Sequence, residues 1–299
     1  MQKQRNNMNK TLIDCIGNTP LVKSIALNDN SNVSLYFKLE GNNPGGSVKD
    51  RAAYNMIKSA LDSKKINAST KLIEATSGNT GIALAMIASV FKLQIELVMP
   101  ETATKERVQT MRAYGAKVTL HPDGIEGARD YAIDKVENEG YFSFNQFAND
   151  DNWKAHYKTT GPEIWRDTEG GITHFVSSVG TTGTIMGTST FLKEQNPEVN
   201  IVGVQPTDGS KIPGIRKWPL EYLPKIFEAS KVDKTIEVST AEAKEMSRRL
   251  AKEEGILAGM SSGGATSAAL KLIQELKSGI VVCIICDRGD RYLSSDLFE

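Results

Sequence analysis

The sequence predicts an α/β chain of mainly parallel, open sheets with helices on both faces. Three observations lead there. Strand-like and helix-like patterns alternate almost from end to end. The 299 residues are enough for one large α/β domain or two lobes. Four turns rich in Gly, Ser and Thr each open onto the start of a helical pattern.

In order along the chain, the first strand is expected near 33–40, where Val33-Ser34-Leu35-Tyr36-Phe37-Lys38-Leu39-Glu40 alternates apolar and polar. A helix follows near 50–62, with Ala53, Met56, Ile57, Ala60 and Leu61 at helical spacing. Strands near 71–75, 94–99 and 116–120 then alternate with helices near 80–91, 104–113 and 124–138. Gly115 closes one helix and opens the next strand. The stretch 153–171 has no strand pattern and is expected to carry the chain between lobes. Further strands are expected near 173–179, 199–205 and 280–286, and helices near 184–194, 240–253 and 264–277. The loop 206–235 is long, holds several Pro and Gly, and has little periodicity, as functional loops often do.

Composition narrows the function. Lys+Arg and Asp+Glu are both 36, which argues against a general nucleic-acid binder. Residues 1–10 are polar, so no signal peptide is expected, and the apolar stretch 82–91 is too short to span a bilayer. Three cysteines make no disulfide framework. The expectation is a soluble cytoplasmic protein without nucleic-acid or membrane partners.

The four turns are Gly45-Gly46-Ser47 before Lys49, Thr76-Ser77-Gly78-Asn79-Thr80-Gly81, Gly180-Thr181-Thr182-Gly183-Thr184 and Ser261-Ser262-Gly263-Gly264. Turns of this kind expose free N–H groups and a positive dipole end to an anion. One alone is an ordinary N-cap; four, with a lysine in the first turn of a helix, fit a ligand carrying a phosphate and a carboxylate. A Walker A loop is excluded because Ser47-Val48 separates Gly46 from Lys49. A dinucleotide fingerprint is excluded because Gly180-x-x-Gly183 is not Gly-x-Gly-x-x-Gly.

Asn43-Pro44-Gly45-Gly46-Ser47-Val48-Lys49-Asp50-Arg51, followed by the turn at 76–81, resembles the fold-type II pyridoxal-phosphate enzymes of the cysteine synthase family. Gly180-Thr181-Thr182-Gly183-Thr184 and Ser261-Ser262-Gly263 match two more of its motifs in the same order, and the resemblance covers 12–297. Ser210-Lys211-Ile212-Pro213-Gly214-Ile215-Arg216-Lys217-Trp218 and the segment 284–294 look like the B-type branch of that family. The resemblance implies two lobes, as in the tryptophan synthase β-subunit. A smaller lobe, 40–150, would carry the cofactor lysine and carboxylate loop; a larger one, 1–39 with 151–299, would carry the phosphate loop and a serine at the pyridine nitrogen.

By the same resemblance, Lys49 would bind pyridoxal 5'-phosphate as a Schiff base and then serve as the base for the substrate's α-proton. Asn79 would meet the ring hydroxyl; Gly180, Thr181, Thr182, Gly183 and Thr184 the phosphate; Ser261 the ring nitrogen, unless it or Ser262 merely caps its helix. Thr76, Ser77, Asn79 and Thr80, with Gln146, would take the substrate carboxylate. The implied reaction makes L-cysteine from O-acetyl-L-serine and sulfide through an α-aminoacrylate. Thiosulfate, giving S-sulfocysteine, is the alternative donor if Arg216 and Lys217 attract a dianion and are not simply a solvated basic pair. The other readings are β-elimination or replacement on serine, O-phosphoserine or cysteine, and a non-catalytic paralogue that binds the cofactor. A homodimer is implied by the family.

Cys283 and Cys286 have CxxC spacing inside a strand run, so they face opposite sides and cannot share a metal. Cys286 then falls at the strand's carboxyl end as a candidate substrate contact, while Cys283 and Cys15 are expected in the core. Asp287, Arg288, Asp290 and Arg291 are expected to form an ion-pair network closing the C-terminus or to gate the site. His121, His156 and His174 share no metal spacing, and no metal is expected.

Overall fold

The computed structural model describes residues 10–299; the expectation about the polar first ten residues falls, for 1–9, outside the described residues. Two sheets carry the fold. The larger contains β1 (Leu21–Lys23), β2 (Val33–Leu39), β6 (His174–Ser178), β7 (Asn200–Pro206), β8 (Lys234–Val238) and β9 (Gly279–Ile285), in the order β1-β2-β9-β6-β7-β8. All its pairings are parallel except β1 with β2, where Leu21 faces Lys38. The smaller sheet is β3 (Lys71–Ala75), β4 (Gln94–Pro100) and β5 (Lys117–His121), parallel throughout.

Strand alternation explains how both faces are covered. In β9, Val281, Cys283 and Ile285 pack against α8 (Thr240–Glu253) and α9 (Met260–Glu275), while Val282 and Ile284 pack against α6 (Thr160–Asp167) and α7 (Gly183–Gln195). The small sheet does the same. Leu72, Leu97 and Met99 meet α1 (Lys49–Asp62), α2 (Asn79–Val90) and α3 (Lys105–Ala113), and Ile73 and Val98 meet α4 (Gly124–Asn138). Helix α2 is apolar on every side and is accordingly buried over nearly its whole length.

The expected strands and helices are present within a few residues of their predicted ends. The stretch 153–171 has no strand, as expected, but it holds most of α5 (Asp150–Lys158) and all of α6, two short helices meeting at Thr159. Gly161 and Pro162 at the start of α6 look like loop punctuation in sequence. Strands β1 and β8 were not expected either. The first has only three residues, and the second is an edge strand with alternate exposed positions.

A buried ionic cluster joins β2, α1 and α6. Arg51 lies 2.7 Å from Glu40 through Nε and 2.7 Å from Glu163 through Nη1, while Lys38 lies 2.8 Å from Glu163. Thr19 donates its hydroxyl to Glu40 at 2.6 Å and accepts from Arg51 Nη2 at 3.1 Å. At Gly17, φ is +87° and a Cβ would lie 2.8 Å from Arg51 Nη1, so glycine meets both demands there. Burial alone would raise the Glu163 carboxyl, but the Arg51 and Lys38 cations outweigh it and hold it down at about 2. A depressed carboxyl contributes stability that is present above its unfolded pKa, near 4.3, and lost as pH falls toward 2. Arg51→Met is expected to cost about 3–5 kcal/mol, since it leaves buried Glu40 without its ion-pair partner and Glu163 with Lys38 alone. Denaturant melts from pH 7 to pH 4 should also show the variant's deficit narrowing as pH falls, because carboxyls that have lost this cation take up protons more readily in the folded state.

Candidate active site

Parallel pairing sets the turns after β3 in the smaller sheet and after β6 and β9 in the larger at their strands' carboxyl ends, where ligands bind in such sheets. A cavity of about 1090 Å³ opens there, lined by Lys49, loop residues 76–80, Gln146, the loop after β6, and Ser261. The segment Ser210–Trp218 forms another part of its wall.

Lys49 is the first residue of α1. Its turn is fixed from the C-terminal side: Val48 N donates to Cys286 O at 2.8 Å, Ser47 pairs with Asp287, and Arg288 N donates to Gly46 O at 3.2 Å. Among the described residues, the Lys49 amine takes no hydrogen bond or ion pair. Burial pulls its pKa below the ordinary lysine range, against the opposing charge of Asp287.

The loop 76–81 is internally braced. Thr76 Oγ1 accepts from Gly78 N at 3.2 Å and Gly81 N at 3.1 Å, and Thr80 donates to Gln146 Oε1 at 2.8 Å. Gln146 is itself placed by a residue that the sequence reading overlooked. Glu74, buried at the end of β3, accepts from Ser143 Oγ at 2.8 Å, Phe144 N at 3.0 Å and Asn145 N at 3.4 Å. An acid inside an otherwise apolar strand was the available signal.

In the loop before α7, Thr182 adopts φ +71°, and its buried hydroxyl has no partner. A Cβ on Gly183 would come within 2.0 Å of Asn152 Oδ1, so the loop packs on α5 only with glycine there. Asn152 donates to Thr181 Oγ1 at 3.2 Å, and Trp218 Nε1 donates to Gly180 O at 2.8 Å. His156 lies 3.3 Å from Thr184 Oγ1; burial drives its pKa down to about 3, so the ring is neutral at working pH.

Several residues depart from expectation. Neither Ser261 nor Ser262 caps α9; the helix starts earlier than predicted, at Met260, with Gly259 as N-cap. Ser261 faces the cavity, and Ser262 Oγ accepts from Cys286 N at 2.9 Å. Asp287 and Arg291 do not pair with each other but with Asn79: Nδ2 donates to Asp287 at 2.7 Å and Oδ1 accepts from Arg291 at 2.6 Å. Only Arg288 and Asp290 approach as an ion pair, at 3.6 Å and exposed. Cys15 is exposed, because its short 3₁₀ turn buries no residue, whereas Cys283 is buried as expected. Cys286 lines the cavity, and burial pushes its thiol up to about 11 despite the nearby Lys49 charge. Arg216 lines the cavity with its guanidinium 5.4 Å from the Trp218 ring, while Lys217 is neutralised by Asp208 and Glu237, each at 2.8 Å. The described residues contain no cluster suited to a metal, and no helix is long and apolar enough to cross a membrane.

These groups fit pyridoxal phosphate: an unpaired amine of lowered basicity, an orphaned buried hydroxyl at the start of α7, and a serine hydroxyl across the cavity. A family model described as "Pyridoxal-phosphate dependent enzyme" matches residues 12–287, and the chain belongs to that family. Cysteine synthase B of Pseudomonas aeruginosa is 57% identical over 292 residues, covering 97% of each chain. Cysteine synthase B of Escherichia coli is 53% identical over 290 residues, covering 96% of each. The crystal structure of the cysteine synthase of Entamoeba histolytica superposes with a TM-score of 0.92 at 35% identity, over 100% of this chain and 93% of that one. The cofactor is pyridoxal phosphate, and the activity is cysteine synthesis from O-acetylserine and sulfide.

Glu74→Gln puts an amide among N–H donors that need an acceptor and loosens the strand–loop clasp that aims Gln146. The KM for O-acetylserine is expected to rise about tenfold, the scale of one charge-assisted hydrogen bond, with kcat changed far less. Steady-state kinetics at saturating sulfide check it.

Proposed function

We propose that Lys49 is the covalent anchor of pyridoxal phosphate in this cysteine synthase and the base that moves the substrate's α-proton. The observation that supports it most directly is a desolvated, unpaired amine at the meeting point of four anion-binding turns. Loop residues 180–184 hold the phosphate through backbone N–H groups and the Thr182 hydroxyl, and Asn79 holds the ring hydroxyl. When bound, the cofactor supplies an electron sink at the α-carbon, a moderate one because Ser261 offers its ring nitrogen a hydroxyl and no carboxylate. Thr76, Ser77, Thr80 and Gln146 fix the amino acid's carboxylate, which sets the α-proton against Lys49. Burial shifts this lysine towards its neutral form, the form that can act as a base. Cys286, protonated on its strand end, contacts the substrate side of the cavity without acting as a nucleophile.

The chain is further read as a cytoplasmic homodimer, with a smaller lobe over 40–150 and a larger one from 1–39 and 151–299. The lobe reading is supported by the separate cores of the two sheets. The three cysteines are all free, as in a reducing compartment. The dimer follows from the family alone.

Thiosulfate is a second sulfur donor on this reading, because Arg216 keeps a guanidinium at the cavity wall with no carboxylate partner among the described residues. Two experiments test these assignments. Borohydride reduction and peptide mapping are expected to place a pyridoxyl adduct on Lys49; an adduct elsewhere, or none, would sink the mechanism. Arg216→Ala is expected to lower kcat/KM for thiosulfate about tenfold or more while sparing sulfide, on the scale of one charged contact. An equal fall for both donors removes the anion-recognition role.

A further inference from the structure

We propose that Arg291 is a positioning residue whose single guanidinium links the Lys49 turn to Asn79 and fixes the Asn79 amide for the cofactor. It rests on the reading of Asn79 as the ring-hydroxyl ligand. Arg291 sits in the 3₁₀ turn Gly289–Tyr292 and is 7% exposed. Its Nη2 donates to Gly45 O at 3.0 Å and its Nη1 donates to Asn79 Oδ1 at 2.6 Å. One planar fork thus holds two elements that are distant in sequence.

The amide's orientation follows from charge. Asn79 Oδ1 faces the Arg291 cation, and Nδ2 donates to the Asp287 carboxylate at 2.7 Å. A flipped amide would set N–H against guanidinium and carbonyl against carboxylate, so only one orientation is compatible with both neighbours. Asp287 is held in turn by the Tyr292 hydroxyl at 2.6 Å. Asn79 Nδ2 carries two hydrogens, and Asp287 takes one. The other belongs to a residue lining the cavity and is left for an oxygen acceptor there.

The Lys49 turn is shaped to receive the fork. Gly46 has φ +81°, and a Cβ on it would lie 2.3 Å from Arg291 Nη2. The Gly45 peptide is held on both sides, since Asp50 Oδ2 accepts from Gly45 N at 2.5 Å while Arg291 binds its carbonyl. A lysine keeps the charge but offers one ammonium where two separated donors are required.

The test uses Arg291→Lys, Asn79→Ala, the double variant, and Arg112→Ala on the exposed face of α3 as a control. Affinity for pyridoxal phosphate is measured by fluorescence titration of the apoproteins, with the absorbance band of the reconstituted proteins and the melting temperature of the apoproteins alongside. Both single variants are expected to bind the cofactor about 10- to 100-fold more weakly, the scale of hydrogen bonds to charged groups. Both should shift the band the same way, and Arg291→Lys should add little to Asn79→Ala. Arg112→Ala should do none of this. A changed Asn79→Ala beside an unchanged or fully additive Arg291→Lys overturns this inference alone. An unchanged Asn79→Ala overturns the Asn79 reading and this inference with it. A fall in melting temperature without change in affinity or band makes Arg291 merely structural and also overturns it. If Arg291→Lys does not fold, Arg291→Gln replaces it under the same criteria.

Discussion

The buried guanidinium of Arg51 is the constraint on which the site depends. It sits two residues after Lys49 on α1, between Glu40 at the end of β2 and Glu163 on α6. A charge removed from water is tolerable only when its partners are all in place. The cluster therefore permits a single docking of helix, strand and distant helix, and that docking sets where α1 begins. Lys49 inherits its position from an interaction it does not make. The cluster's value lies in specifying this arrangement, because a buried ion pair adds little net stability over well-packed apolar residues.

Beyond that fixed start, the site works mainly through burial. Desolvation lowers the basicity of Lys49, keeps His156 neutral beside Thr184 and keeps the Cys286 thiol protonated. Each effect follows from removing the charged form from water, yet the consequences differ in kind. A lysine becomes a usable base, a histidine becomes an uncharged hydrogen-bonding prop near an anion loop, and a cysteine loses reactivity that would compete with the incoming sulfur. The anion loops supply the opposite polarity through helix N-termini, which need no ionisable group.

How much of this was legible in sequence depended on the range of the interaction. The four turns could be read because their chemistry is local: Gly, Ser and Thr at a helix start mean the same thing wherever the chain later goes. The regular strands and helices could be read from periodicity, as with Val281 to Ile285 in β9. What could not be read were contacts between residues far apart in the chain. Asn79 and Arg291 are 212 positions apart and Glu74 is 69 from Ser143, and no spacing rule connects them. Asp287 and Arg291 looked like partners in sequence because opposite charges stand close together; the fold separates them by inserting an amide. The misplaced start of α9 came from a boundary, since Ser and Gly at a helix start are hard to assign to cap or first turn.

The proposed division of labour within the cavity assigns sulfur selectivity to the wall formed by 210–218. The inner groups are committed to features that every candidate substrate shares: amine, α-proton and carboxylate. Discrimination must come from groups that remain uncommitted, and near the mouth Lys217 is already neutralised by two carboxylates. Arg216 is not. Its guanidinium stacks on Trp218, which in turn meets Phe147 edge-on at 5.4 Å, next to Gln146 in sequence. Arg129 lies over the other ring of that pair, 5.8 Å from the Phe147 centroid. Two cations held on adjoining aromatic rings keep their charge while giving up little freedom to bind. On the proposed role of Arg216, such a rim would attract an anionic sulfur compound without disturbing the inner geometry, so donor preference could be altered at the rim while the chemistry proposed for Lys49 stays the same.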